Sequence, residues 1–271
     1  MNLDTLKQSP FGLVLAPAKL AIYTVLGFLK YHLKPRIRVV LVLSSMRSGS
    51  TLLKSLMAQG EDVSLLDEFH FIPYANHNQY FFYYLVSRLS DKPIIVLKKP
   101  FNNVAAHLPL YGKTPLSGVR NIVLYRHPYE TLLSLKALQR RKQYGAFSDE
   151  QCVAYWGDTY EAVFNNVDTN RDTLFVRYEH LTGQTEYVTR QIFEFIGSAH
   201  AEGARGYGDY VWKAGLDDDS DKIRSRTVHE AEVADPAGFE TFFRNVPGTN
   251  EPFVFYMYFE PNGSSSTFSS S

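Results

Sequence analysis

The chain has 271 residues, 45% of them hydrophobic, and carries 28 Lys and Arg against 28 Asp and Glu. That length and apolar content suffice for one globular unit with a full core, while a formal charge of zero argues against a nucleic-acid binder, whose affinity draws on many phosphate contacts. The single cysteine, Cys152, excludes an intrachain disulfide and a cysteine zinc cluster; it is compatible with a reducing compartment, and a cytoplasmic location is expected.

From Phe11 to Leu29 the chain is apolar apart from Lys19 and small polar groups, and Lys30, Lys34, Arg36 and Arg38 follow. A spanning helix needs about twenty apolar residues, and Pro17 and Lys19 interrupt this run. A signal peptide carries its basic residues in front, whereas here they lie behind. Residues 1–38 therefore read as a helical segment that either packs on the following domain or makes peripheral membrane contact through residues 11–38, its Lys and Arg turned to lipid headgroups.

A first strand is expected over Val39–Leu43, a hydroxyl-rich turn over Ser44-Ser45-Met46-Arg47-Ser48-Gly49-Ser50-Thr51, and a helix from Thr51 to Gln59. A buried strand that ends at the first turn of a helix presents unpaired amides to an anion, and the helix dipole adds to the attraction. In that loop Gly49 admits close backbone approach and Arg47 adds a positive fork, while Ser48, Ser50 and Thr51 offer hydroxyls and a helix cap. A Walker A loop would place Lys after its second Gly; here Ser50 follows Gly49, so the nucleotide-triphosphatase pattern is not met.

Further along come Asp67-Glu68-Phe69-His70 and the aromatic stretch His77–Leu85, which reads either as a wall of a ligand cleft or as a buried helix face. A second strand is expected over Ile94–Lys98 and a third over Asn121–Tyr125, with Arg126-His127-Pro128 at its end. Pro128 is suited to open a helix that continues to Lys142 and carries Ser134 eight residues after Arg126. Ser148-x-x-Gln151 forms a capping box ahead of a helix over Asp149–Val167, with Val153, Trp156, Tyr160 and Val163 on one face. A strand over Thr173–Arg177 and a helix from about Glu186, closed by Gly197, follow. The charged run Asp217–Arg226 and the tail over residues 262–271, too polar to order itself, complete the chain, with one folded domain spanning residues 39–261.

Strands with little alternation, separated by helical patterns, predict an α/β fold of three layers, α/β/α, around a central parallel sheet. Right-handed crossovers then gather the strand tips on one edge. Two strand-end arginines, Arg47 and Arg126, each leading into a helix, point to a ligand with two separated anionic groups lying across adjacent strand tips.

These motifs resemble those of sulfotransferases that use 3′-phosphoadenosine 5′-phosphosulfate (PAPS). Ser44 to Thr51 is similar to that family's 5′-phosphosulfate loop, and Arg126 with Ser134 to its 3′-phosphate site. Ile95 to Pro100 resembles its strand ending in Lys near the sulfate, and Leu174 to Leu181 its Tyr-Glu-x-Leu turn. Arg at position 47, where cytosolic members have Lys, is usual in the carbohydrate and tyrosylprotein branches, and Asp67 to Pro73 resembles the tyrosylprotein segment that carries a catalytic Glu.

The resemblance implies a P-loop-like fold and transfer of a sulfuryl group from PAPS to a hydroxyl-bearing acceptor, with no metal and no nucleic-acid partner. It implies Arg47, Lys98 and Glu68 as catalytic residues, with Glu68 as base and His70 as its alternative. Cofactor contacts fall to Ser45, Arg47, Ser48, Gly49, Ser50, Thr51, Arg126, Ser134, Tyr178 and Arg224, with Lys222 and Arg226 as weaker members of the late basic loop. Two other readings stay open on the residues alone: a kinase-like phosphotransferase, and a nucleotide-binding protein without turnover.

Overall fold

Five parallel strands form the spine of the chain: β1 (Arg38–Ser44), β2 (Val63–Asp67), β3 (Ile94–Lys98), β4 (Val119–Tyr125) and β5 (Thr173–Arg177), in the order β2-β3-β1-β4-β5. The structure, a computed structural model, describes residues 10–33, 37–67, 79–89, 92–98, 119–142, 148–166, 173–208 and 227–229. The helices among these are α1 (Pro10–Leu33), α2 (Ser50–Met57), α3 (Gln79–Leu89), α4 (Pro128–Lys142), α5 (Asp149–Asn166), α6 (Tyr178–Gly183) and α7 (Thr185–Ile196). The expected three-layer α/β fold with a central parallel sheet is the one observed.

The strands are apolar on both faces because both are covered. On one side Val40, Val42, Ile94, Val96, Ile122 and Leu124 pack against Leu52, Leu53 and Leu56 of α2 and Ile192, Phe193 and Ile196 of α7. Alternation sends Leu41 and Leu43, also buried, to the opposite face, where Trp156 and Tyr160 of α5 pack. At the carboxyl end of α7, Arg38 donates to the Ile196 carbonyl at 2.9 Å and Arg120 donates to that of Phe195, so carbonyls that the helix leaves unpaired meet cations from β1 and β4.

Several elements depart from the sequence reading. β2 was not anticipated: it is a five-residue edge strand whose own Ser64 and Asp67, with Asp62 just before it, disguise it. The helix after β1 runs Ser50–Met57 instead of Thr51–Gln59, and β4 begins two residues earlier, at Val119. The capping box of α5 forms as expected, with Ser148 N–H donating to Gln151 Oε1 (2.9 Å) and Gln151 N–H donating to Ser148 Oγ (3.3 Å).

The aromatic stretch on α3 is spent on α1. Tyr23 stacks on Tyr84 with ring centres 4.9 Å apart and on Phe81, while Tyr31 meets Tyr80 and Tyr83 edge-on. The Tyr83 hydroxyl also accepts from Ile37 N–H at 3.0 Å, tying this pair of helices to the entry of β1. These rings thus form a packed helix face. Among the described residues no helix is long and apolar enough to cross a membrane.

Gly197 closes α7 with φ 68°, and a Cβ there would press on the Arg38 guanidinium that satisfies Ile196. Replacing Gly197 by Ala therefore costs both a left-handed backbone and a capping bond, and is expected to destabilise the fold by roughly 1–2 kcal/mol. An unchanged urea midpoint in Gly197→Ala would contradict this account.

Candidate active site

The loop after β1 is built on two left-handed residues, Arg47 (φ 66°) and Gly49 (φ 93°). For Arg that conformation costs of order 1–2 kcal/mol, so the surroundings must hold it. Ser48, fully buried between them, donates its Oγ–H to the Ser45 carbonyl at 2.8 Å. Gly49 is the N-cap of α2 and makes no side-chain cap bond, which corrects the expected Ser or Thr cap. Its lack of a Cβ has a second reason: the Tyr178 ring lies against it, and a Cβ would stand 2.2 Å from Tyr178 Cδ2. The amides of the first turn of α2, which a helix leaves without internal acceptors, open at this loop.

β4 lies next to β1, with Ser44 in register with Leu124, so Arg126 emerges beside the loop. Its guanidinium donates to the Arg47 carbonyl (3.4 Å) and to Glu130 Oε2 (3.4 Å), and its face covers the Tyr178 ring at 4.6 Å. Arg126 Nε is buried with no hydrogen-bond partner. From one turn further along α4, Ser134 Oγ accepts from Arg47 Nε at 2.9 Å. Arg126 and Ser134 are therefore both joined to Arg47, through its backbone and its side chain respectively.

On the other flank of β1, β3 pairs Lys98 with Val42, and the largely buried Lys98 donates from Nζ to Thr51 Oγ1 at 3.2 Å. Lys98 is also in register with Asp67, the last residue of β2. The tips of β2, β3, β1 and β4 thus bring Lys98, Thr51, Arg47, Ser134 and Arg126 to one edge of the sheet.

Trp156 and Tyr160, read from the sequence only as part of an apolar helix face, turn out to hold this edge together with their neighbour Tyr155. Tyr160 donates to the Leu124 carbonyl at 2.8 Å and lies 3.3 Å from Ser45 Oγ; since the phenol has one proton, Ser45 is the donor in that second bond. Tyr155 accepts from Met46 N–H at 2.9 Å, and Trp156 Nε1–H donates to the Arg126 carbonyl at 3.2 Å. Burial raises the pKa of both phenols above the usual tyrosine value, keeping them neutral. Glu179 adds a fourth tie, accepting from His127 N–H at 3.0 Å and from Arg177 Nε at 3.3 Å. The signal for the aromatic ties was the polar tip on the buried Trp156 and Tyr160 rings and on the half-buried Tyr155 ring, which demands a partner.

The loop residues Ser45, Arg47, Ser48, Gly49, Ser50 and Thr51 therefore meet Lys98, Arg126, Ser134 and Tyr178 as one constellation. The hydroxyls of Ser45 and Ser48 are buried and engaged inside the protein, so they shape the loop. Tyr178 is half-buried, its ring packed between Gly49 and Arg126. Glu68, His70, Lys222, Arg224 and Arg226 lie outside the described residues. Among the described residues no group of three His, Cys, Asp or Glu side chains is arranged to hold a metal ion.

Comparison with known proteins gives the same direction. The sulfotransferase domain model matches residues 38–207, more than half of the chain. Among solved structures, the sulfotransferase domain of the Synechococcus PCC 7002 olefin synthase is similar at a TM-score of 0.58 with 18% identity, over 85% of this chain and 98% of that one. A sulfotransferase from Alicyclobacillus acidocaldarius gives 0.49 with 10% identity over 65% and 87%, and mouse sulfotransferase SULT7A1 complexed with PAP gives 0.40 with 14% identity over 60% and 59%. No curated protein sequence matches.

His127, next to Arg126, is held neutral: burial first, then the charges of Arg177 and Arg126, push its pKa from 6.5 down to about 4. The unfolded chain then binds the extra proton between those two values, so stability falls as the pH drops through that window, by about 3 kcal/mol in all. Chemical denaturation of the native chain and His127→Asn is expected to show a flatter acid limb in the variant between pH 6.5 and about 4; parallel curves would contradict the assignment.

Proposed function

Because the chain belongs to the sulfotransferase family, we propose that it moves the sulfuryl group of PAPS onto an acceptor hydroxyl. One arrangement carries the reading: a cationic arc over three adjacent strand tips, with Arg126 and Ser134 at one end and the Lys98–Thr51 pair at the other, on either side of the loop at Arg47. A doubly anionic donor fits such an arc. The buried Nε of Arg126 without a partner is a donor in want of an acceptor, and the first-turn amides of α2 form an anion seat.

In this reading Arg126, Ser134 and the late basic loop with Arg224 hold the 3′-phosphate, while the amides of residues 48–51, with Ser50 and Thr51, hold the 5′-phosphate. When bound, PAPS supplies an activated sulfuryl group whose leaving group is a phosphate. Arg47 and Lys98 stabilise the negative charge that grows as the S–O bond to the 5′-phosphate breaks, and the acceptor oxygen forms the new bond as its proton passes to a base. Glu68 is proposed for that base: it follows Asp67, whose register partner is Lys98. Tyr178 would pack beside the adenine.

Carbohydrate, lipid and tyrosyl hydroxyls are the acceptor classes; we favour a lipid or glycan acceptor, because the apolar helix ahead of the domain suits a membrane surface. The catalytic unit is taken as residues 39–261, in the cytoplasm, with peripheral membrane contact through residues 11–38. Turnover of labelled PAPS against a panel of such acceptors tests the reaction; no transfer to any class, with donor binding intact, would favour a binding protein without turnover.

Donor recognition has its own test. Calorimetry is expected to show that Arg126→Ala weakens adenosine 3′,5′-bisphosphate by about 10- to 100-fold, the range of one charge-assisted contact, and adenosine 5′-monophosphate much less. Equal losses for the two nucleotides would remove Arg126 from the 3′-phosphate site.

A further inference from the structure

Seven of the nine large hydrophobic side chains that stand exposed among the described residues belong to α1. The helix packs one face on α3 through Tyr23 and Tyr31, and so closely that a Cβ at Gly27 would collide with the Tyr80 carbonyl. The face turned away carries Ile22, Val25, Leu26, Leu29 and Leu33, spaced as one stripe of a helix, with Val25 57% and Leu33 76% exposed. Burying such side chains is worth more than any ordinary surface position, so a stripe of five left in water marks a contact surface.

Charge identifies the occupant. No Asp or Glu occurs between Asp4 and Glu61, whereas Lys19, Lys30, Lys34 and Arg36 lie along α1 or just beyond it. Lys30 stands at the edge of the α3 contact, its Nζ donating to Ser87 Oγ at 3.1 Å over the Tyr84 ring. An exposed apolar stripe on a helix whose sequence, with the residues next after it, carries Lys and Arg but no Asp or Glu complements acyl chains beneath anionic headgroups.

We propose that α1 docks the protein on an anionic lipid surface through Ile22, Val25, Leu26, Leu29 and Leu33. Since its opposite face is committed to α3, the helix lies along the surface and keeps the sheet beside the membrane. This specifies the membrane contact suggested above and does not depend on sulfuryl transfer.

The test is flotation of the full chain with vesicles of phosphatidylcholine containing phosphatidylserine, and with phosphatidylcholine alone. Binding is expected on the anionic vesicles, weakened by salt, and at least tenfold lower on the neutral ones. Val25→Glu/Leu29→Glu, and the milder Leu26→Ser/Leu33→Ser, are expected to reduce it at least tenfold while leaving adenosine 3′,5′-bisphosphate binding unchanged, since neither pair touches the site edge. The proposal is overturned if the native chain does not float, if it binds both vesicles equally, or if both variants bind as the native chain does. A stable dimer in ultracentrifugation that the variants abolish would also overturn it, by assigning the stripe to a second copy.

Discussion

The pairing of β1 with β4 is the constraint on which the rest depends. These strands are neighbours in the sheet although β2 and β3 separate them in the chain, because the connections after β1 and after β4 leave in opposite directions. In an open α/β sheet such a reversal point is where a ligand crevice is expected, at the carboxyl edge of the strands. Register decides what stands in it. With Ser44 opposite Leu124, the loop at Arg47 and the first residue beyond β4, Arg126, come within hydrogen-bonding distance. A slip of one residue would exchange the faces of β4 and take Arg126 away from both Tyr178 and the loop.

Gathering cations in a partly buried edge is unfavourable unless something opposes their repulsion. Two carboxylates do so from elements that follow the strands: Glu130 on α4 faces Arg126, and Glu179 on α6 faces Arg177. His127 avoids adding a further charge by remaining neutral. The backbone, meanwhile, is held by uncharged groups. Tyr155, Trp156 and Tyr160 reach both strand tips from α5, so one rigid helix sets the positions of the Arg47 loop and the Arg126 turn together. Neutral ties of this kind fix geometry without changing the local potential.

How far the chain could be read in advance depended on whether each signal was local. β1, β3, β4 and β5 are apolar runs bounded by turn residues, and the capping box at Ser148 and the glycine at position 197 are local devices, so all of these were legible. β2 was not, because Val63-Ser64-Leu65-Leu66-Asp67 is short and half-polar and acquires its identity only by pairing with β3. The partner of the α3 aromatics was hidden for the same reason: it is α1, at the far end of the preceding β1–β2 unit. Within the site, Arg47 and Arg126 were evident as strand-end cations, but the left-handed backbone of Arg47 was not, since the composition of the loop suggested Gly49 alone for that role.

That strained arginine bears on how the site divides its labour. Arg47 commits Nε to Ser134, on the α4 side, yet the guanidinium has five donors in a fixed plane, so engaging one orients the others. A lysine on the same backbone would concentrate its charge on one nitrogen and lose this orientation. The same residue cannot readily give up a proton, so in the proposed transfer its part is to stabilise charge. Lys98, on the opposite flank and tied to Thr51 in the first turn of α2, is the cation that the proposed transfer assigns to the moving sulfuryl group. The two cations are fixed by different strands, β1 and β3, whose direct pairing makes their separation a property of the sheet and not of flexible side chains.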